Sequence, residues 1–254
     1  VVNIGLEGMM LAGAYAATCV NLYTGNPYLG ILAGIIIGGL VSLIHAVISI
    51  HLKGNQIVSG VAINLFAVST TSFLIKVMFH AAGSTEKAKH GANSLIVLSV
   101  VYILAILTYF IVYKTVFGLR LRTVGEHPLA ADTVGINVYK YRYIGVLLSG
   151  MYAGLGGAYM STVILQHFVQ NMTAGRGFMA LAAMIFGKWN PLGAILASLL
   201  FSFGQSFAYN AKALELHIPQ QFLEMIPYIL TIFVLIGFVG KARAPKADGK
   251  PYEK

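Results

Sequence analysis

The stretch GLRLRTVGEHPLAADTVGINVYKYR, Gly118–Arg142, decides how this chain is read. It is a long polar run lying between apolar helices, and both of its flanks are basic. Inside it, His127–Ile136 has the size of a short helix. Pro128 suits a first helical position and Gly135 suits a C-terminal cap. A short helix held at the surface of a membrane domain gives a soluble partner something to push.

The membrane reading comes from what surrounds that run. Of 254 residues, 57% are hydrophobic and only 10% are charged, against roughly 25% charged in soluble domains. Apolar segments are too many and too long for a soluble core. Spans are expected at Ile4–Val20, Tyr28–Ile50, Ile57–Met78, Asn93–Phe117, Tyr143–Val163, Pro191–Asn210 and Phe222–Gly240. Ala174–Gly187 is apolar but reaches only about 21 Å as a helix, short for a hydrocarbon core of about 30 Å. The expected fold is therefore an all-α polytopic membrane protein, a multi-helix bundle with short broken or re-entrant helices. Residues 1–240 form its transmembrane domain, containing the polar segment 118–142, and 241–254 form a basic tail that reads as frayed. The opening Val1–Val2–Asn3 reads as part of a longer chain, with a membrane helix expected ahead of it.

Orientation follows from the excess of Lys and Arg in cytosolic loops. Lys114, Arg120, Arg122, Lys140 and Arg142 in the polar segment, and Lys241, Arg243, Lys246, Lys250 and Lys254 in the tail, place both in the cytosol. Counting Ala174–Gly187 as a pass makes the two agree. It also places the Phe79–Ala92 loop outside, where Lys87 and Lys89 are a mild violation.

The net charge of +9 does not point to nucleic acid, because no aromatic–basic interleaving or finger spacing accompanies it. The single Cys19 excludes an internal disulfide. No phosphate loop is present: Gly150, Gly154 and Gly157 share a helical face suited to close packing, with neither a strand before them nor a Lys–Ser/Thr pair after them. Gly30, Gly34, Gly38 and Gly39 allow close packing in the same way. The scattered histidines form no metal site, His45 reading as a packing residue, and no catalytic set appears.

The candidate pathway residues are polar groups in apolar surroundings. Glu7 is ionisable inside a membrane helix and so functional by default. Its two readings are an interface or helix-break carboxylate and a group lining the permeation path. The stretch QHFVQNMTAGRGF, Gln166–Phe178, sets Gln166, Gln170, Asn171, Thr173 and Arg176 before and inside the short segment. Such polar approaches are tolerated only where buried in protein or lining a cavity. Arg176 has the donors to bind a substrate or the carbonyls of a broken helix. Asn64 and Gln205 complete the set, and the aromatics near Gln205 (Phe201, Phe203, Phe207) read as lipid-facing bulk or as a stacking surface.

Three stretches, VNIGLEGMMLA (Val2–Ala12), TVGEHPLAADTVGINV (Thr123–Val138) and AGRGFMALAAMIFGKWNPLG (Ala174–Gly193), together resemble the permease subunit of ATP-binding-cassette importers. The family includes simple-sugar, branched-chain amino-acid and nucleoside permeases, and the resemblance is nearest to the nucleoside-type branch. It implies a bacterial cytoplasmic-membrane importer without its own ATP site, ATP and Mg being held by a partner ATPase subunit. Other implied partners are a second permease subunit, forming a heterodimer, and an extracytoplasmic substrate-binding lipoprotein. By position, Pro128, Ala130, Ala131, Asp132 and Gly135 fall in the family's coupling helix. The residues fit that role: Leu129, Ala130, Ala131, Val134 and Ile136 offer a small apolar face, and Glu126 and Asp132 can pair with partner cations. A bulky side chain at Ala131 is expected to uncouple ATP hydrolysis from transport without unfolding the helices. The competing classes are an ion-coupled secondary transporter, which needs a second interrupted helix and midplane carboxylates, and a simple-sugar permease.

Overall fold

The computed structural model describes residues 1–81, 83–213, 225 and 244–253. Most of the span expected at Phe222–Gly240 lies outside the described residues. The first helices are α1 (Leu6–Thr24), α2 (Pro27–Ala46, extended by a π-helical turn at Val47–His51), α3 (Gln56–Phe79) and α4 (Ser94–Lys114). Asparagine starts three of them: the side chains of Asn26, Asn55 and Asn93 each accept two backbone N–H bonds of the first turn, which satisfies donors that a helix N-terminus leaves unpaired. Among the described residues, three helical stretches are long and apolar enough to cross a membrane, Pro27–His51, Gln56–Phe79 and Ser94–Lys114.

The polar run is not one linker carrying one helix. Thr115 breaks out of α4 with an extended backbone, and its hydroxyl caps a new helix, α5 (Val116–Glu126), at Gly118. The short α6 (Pro128–Thr133) follows, ending before the expected Ile136. Gly135 still makes the left-handed turn expected of it (φ 80°), its N–H donating to the Asp132 carbonyl. Then α7 (Val138–Tyr159, extended by a π-helical turn at Met160–Ile164) starts five residues earlier than hydropathy suggested. It takes in Arg142, which is buried. The last described helices are α8 (Arg176–Phe186) and α9 (Pro191–Ala213).

Helices α1, α2 and α7 form the centre of the bundle, and glycine lets their backbones meet. A Cβ on Gly13 of α1 would lie 2.6 Å from the Cα of Gly154 in α7, and one on Gly38 of α2 would lie 2.7 Å from the same atom. Gly150 meets Ser42, and Gly157 meets the Met10 backbone. The two glycine faces read from the sequence therefore pack largely on each other, as expected where dispersion rather than water exclusion joins helices.

Loop 83–92 pairs with 162–170 across one end of the bundle. Thr85 N donates to Phe168 O (2.9 Å), Gln170 N to Gly83 O (2.7 Å) and Ala88 N to Gln166 O (2.7 Å). Lys53, Arg142, Lys246 and Lys250 meet at the other, basic end. The tail expected to fray is docked there through residues 244–253, with Tyr252 only 4% exposed.

Candidate functional site

Between α7 and α8 the chain runs without regular structure, and four of its residues (Gln166, Asn171, Ala174 and Gly175) have positive φ. Its Phe168, Met172 and Thr173 are nonetheless buried in protein, while Gln170, Asn171 and Ala174 are exposed. Phe168 is fully buried and meets Tyr15 edge-on at 5.3 Å, and Met172 joins the cluster of Leu11, Ala14, Tyr15 and Ile75. Passing from the level of Tyr15 to that of Glu7, it descends about 12 Å along α1. Helix α8 consequently begins inside the bundle.

A helix N-terminus packed against another helix needs acceptors for its first backbone donors, and leaving them unpaired is costly in lipid surroundings. Glu7 removes the cost. Its Oε1 accepts from Gly175 N (2.8 Å) and its Oε2 from Gly177 N (2.6 Å). The carboxylate is 6% exposed, and negative charge at this position complements the helix dipole. Bonds to an ionised acceptor are the stronger kind. Gly177 has to be glycine, because a Cβ there would stand 2.5 Å from Glu7 N and Cα.

Asn64 holds the other side of the same turn. Its Oδ1 accepts from Gly8 N (2.7 Å) and its Nδ2 donates to Ile4 O (3.0 Å). Helix α3 thus fixes the start of α1, and α1 fixes the start of α8. Arg176 donates from Nη1 to the Met172 and Thr173 carbonyls (3.3 Å each), closing the loop that carries it. These carbonyls belong to Arg176's own loop, not to a neighbouring broken helix.

The other candidates stand elsewhere. Gln170 Nε2 donates to Ser72 Oγ (2.9 Å), Gln166 lies against Gly91, and Asn171 is exposed, so these three belong to the paired loops. Gln205 Nε2 contacts Met179 Sδ (3.3 Å) and ties α9 to α8. Thr173 and Asn3 both lie in stretches that the sequence singles out, with no separate role assigned to either. The Thr173 hydroxyl is fully buried without a partner, and Asn3 Nδ2 donates to Ser149 Oγ (2.6 Å). The usable signal was the pair of glycine-framed motifs around Glu7 and Arg176, since glycine marks close backbone approach. Among the described residues no group of three His, Cys, Asp or Glu is placed to hold a metal.

At the basic end, α6 has an outer and an inner side. Leu129 (62% exposed) and Val134 (72% exposed) face outward, with Ala130 and Glu126 also exposed. Ala131 is fully buried against Val124, Val138 and Tyr252. This corrects the expectation that Ala131 is part of an exposed docking face: its side chain is already used inside the chain.

A buried helix start in irregular backbone, held by a carboxylate from another helix, is an arrangement that polytopic transport proteins use and soluble bundles do not need. Residues 1–235 match the family model described as the permease component of the branched-chain amino acid transport system. The chain belongs to this permease family. It is 45% identical to a guanosine ABC transporter permease protein of Bacillus subtilis and 44% identical to a nucleoside ABC transporter permease protein of Lactococcus lactis. Each alignment spans all of this chain and 88% of the relative. A putative glucose ABC transporter permease protein of Haloferax volcanii is 31% identical over 92% of this chain and 82% of its own. No solved structure matches. The permease is thus a polytopic subunit of an ABC importer for small polar solutes, in a family that works with ATPase and substrate-binding partners.

Proposed function

We propose that this permease forms the pathway for a neutral polar solute, a nucleoside, in the bacterial cytoplasmic membrane. One observation carries the reading. Helix N-termini inside transporter bundles are the usual seats for anionic substrate groups, and here that seat is filled by the chain's own Glu7. A solute carrying a carboxylate is left without it, whereas a nucleoside needs only hydrogen bonds and a stacking surface. The two relatives near 45% identity are named for guanosine and for nucleoside transport, solutes of that class.

In this reading the basic end faces the cytosol, and α6 is the coupling helix, offering Leu129, Ala130 and Val134 to a groove of the ATPase. Pro128 and Gly135 set its ends, and Glu126 and Asp132 supply charge. A second, different permease subunit completes the pathway, and a binding lipoprotein delivers solute from outside. Gln166, Gln170, Asn171 and Gln205 supply polar contacts along or above the path. Glu7, Asn64 and Arg176 position the broken helix rather than touch solute.

The glucose permease relative favours a second reading, transport of a simple sugar. Uptake by proteoliposomes of the complete complex decides between them. Radiolabelled nucleoside is expected to accumulate with ATP and to be displaced by other nucleosides. Displacement by pentoses or hexoses instead would overturn the nucleoside reading.

A further inference from the structure

Helix α6 has six residues, too few to be stable without tertiary support. Leu129 on it and Val134 just after it are exposed, and the residue it buries is the small Ala131. A lever held so weakly would tilt under load instead of moving the bundle. What closes the space against Ala131 comes from the far end of the chain.

Residues 244–253 cross the basic end as a strap. Ala247 N donates to Gly125 O (3.1 Å) at the end of α5. Arg142 Nη1, from α7, donates to Lys250 O (3.0 Å), and its guanidinium carbon sits 5.8 Å from the Tyr252 ring centroid. The Tyr252 ring enters the cluster of Val124, Ala131 and Val138 and is met by Tyr139 at 5.4 Å and 73°. Lys53, in the turn after α2, pairs with Glu253 at 3.1 Å. That last pair is exposed and contributes little, so the hold rests on the buried Tyr252 and Arg142.

We infer that this strap positions the coupling segment, with Tyr252 and Arg142 fixing α5 and α6 to α7 so that force on α6 reaches the bundle. The inference rests on the coupling reading of α6. The strap stays docked throughout transport; it is a brace, not a lid.

The test uses the complete complex in proteoliposomes and reads radiolabelled nucleoside taken up per ATP hydrolysed. Tyr252→Ala is expected to lower that ratio about five-fold or more, in the range of ordinary coupling factors, with ATP hydrolysis retained. Tyr252→Phe keeps the ring and is expected to keep the ratio. An unchanged ratio in Tyr252→Ala overturns the inference.

Should Tyr252→Ala fail to assemble, a cross-link decides. A Cβ on Gly125 would lie 3.7 Å from the Pro245 Cβ, within disulfide range. With Cys19→Ala as background, Gly125→Cys/Pro245→Cys is expected to transport equally oxidised and reduced. Loss of uptake on oxidation, restored by reductant, means the strap must leave and overturns the brace. Leu129→Asp separates the two readings. If it leaves ATPase binding and uptake intact, the coupling reading fails; if it uncouples while Tyr252→Ala does not, only the strap inference fails.

Discussion

Glu7 Oε2 and the backbone nitrogen of Gly177 are 2.6 Å apart in space and 170 residues apart in sequence. Together with the Gly175 contact, this bond joins the first helix of the chain to a helix that starts within the bundle.

Replacing Glu7 by Ala leaves the buried Gly177 N–H unpaired, at about 1–3 kcal/mol, and the part-buried Gly175 N–H without its acceptor. Glu7→Gln keeps an acceptor and loses the charge, so its effect is expected to be smaller. The expected order of melting temperature of the detergent-solubilised complex is wild type, Glu7→Gln, Glu7→Ala, with uptake following the same order. Equal melting of all three would show that the tether does not support α8.

The glycine contact between α1 and α7 leaves no room for a side chain, since a Cβ on Gly13 would stand 2.6 Å from Gly154 Cα. Gly13→Val must push the helices apart, a packing change of about 1–3 kcal/mol or more. A drop in melting temperature and in membrane abundance is expected. Gly25→Ala, at the α1–α2 turn where nothing lies within 4 Å, is expected to suffer only the smaller cost of its left-handed backbone. Comparing the two variants by thermal melting separates close packing from backbone strain.

The two sides of α6 are expected to respond differently. Leu129→Asp changes an exposed position and is expected to move stability by about 0.5 kcal/mol or less while weakening co-purification of the ATPase. Ala131→Trp overfills a closed cluster and is expected to destabilise the basic end itself. Limited proteolysis of the membrane fraction, with cleavage gained near α5 and α6 only in Ala131→Trp, checks this.

Topology is open to labelling. With Cys19 replaced by Ala, Lys87→Cys in the exposed loop is expected to react with membrane-impermeant maleimide added outside intact cells. Lys140→Cys is expected to react only after the membrane is opened. The reverse pattern would invert the assigned orientation.

Much of the fold was legible because hydropathy is local, and the asparagine caps, equally local, were a signal the hydropathy reading did not use. Asn26, Asn55 and Asn93 stand immediately before their helices, and the glycine faces on α2 and α7 follow from spacing. The division of Gly118–Arg142 was not legible. Whether Thr115 continues α4 or breaks it depends on what Gly118 packs against, the α4 carbonyls of Ile111 and Val112. The tail misread as frayed shows the same limit: a polar composition says nothing of whether one tyrosine finds a pocket.

The site divides in the same way. Composition and periodicity by themselves established a polytopic membrane chain, in which Glu7 stood out as an ionisable group inside an apolar helix and Arg176 as a cation between two glycines. Only the tertiary structure decided that Glu7 serves the N-terminus of α8, that Arg176 closes its own loop and that Ala131 faces inward. The reason is physical: the cost of a buried charge or an unpaired donor depends on which atoms lie within about 3 Å, and those atoms come from segments distant in the chain.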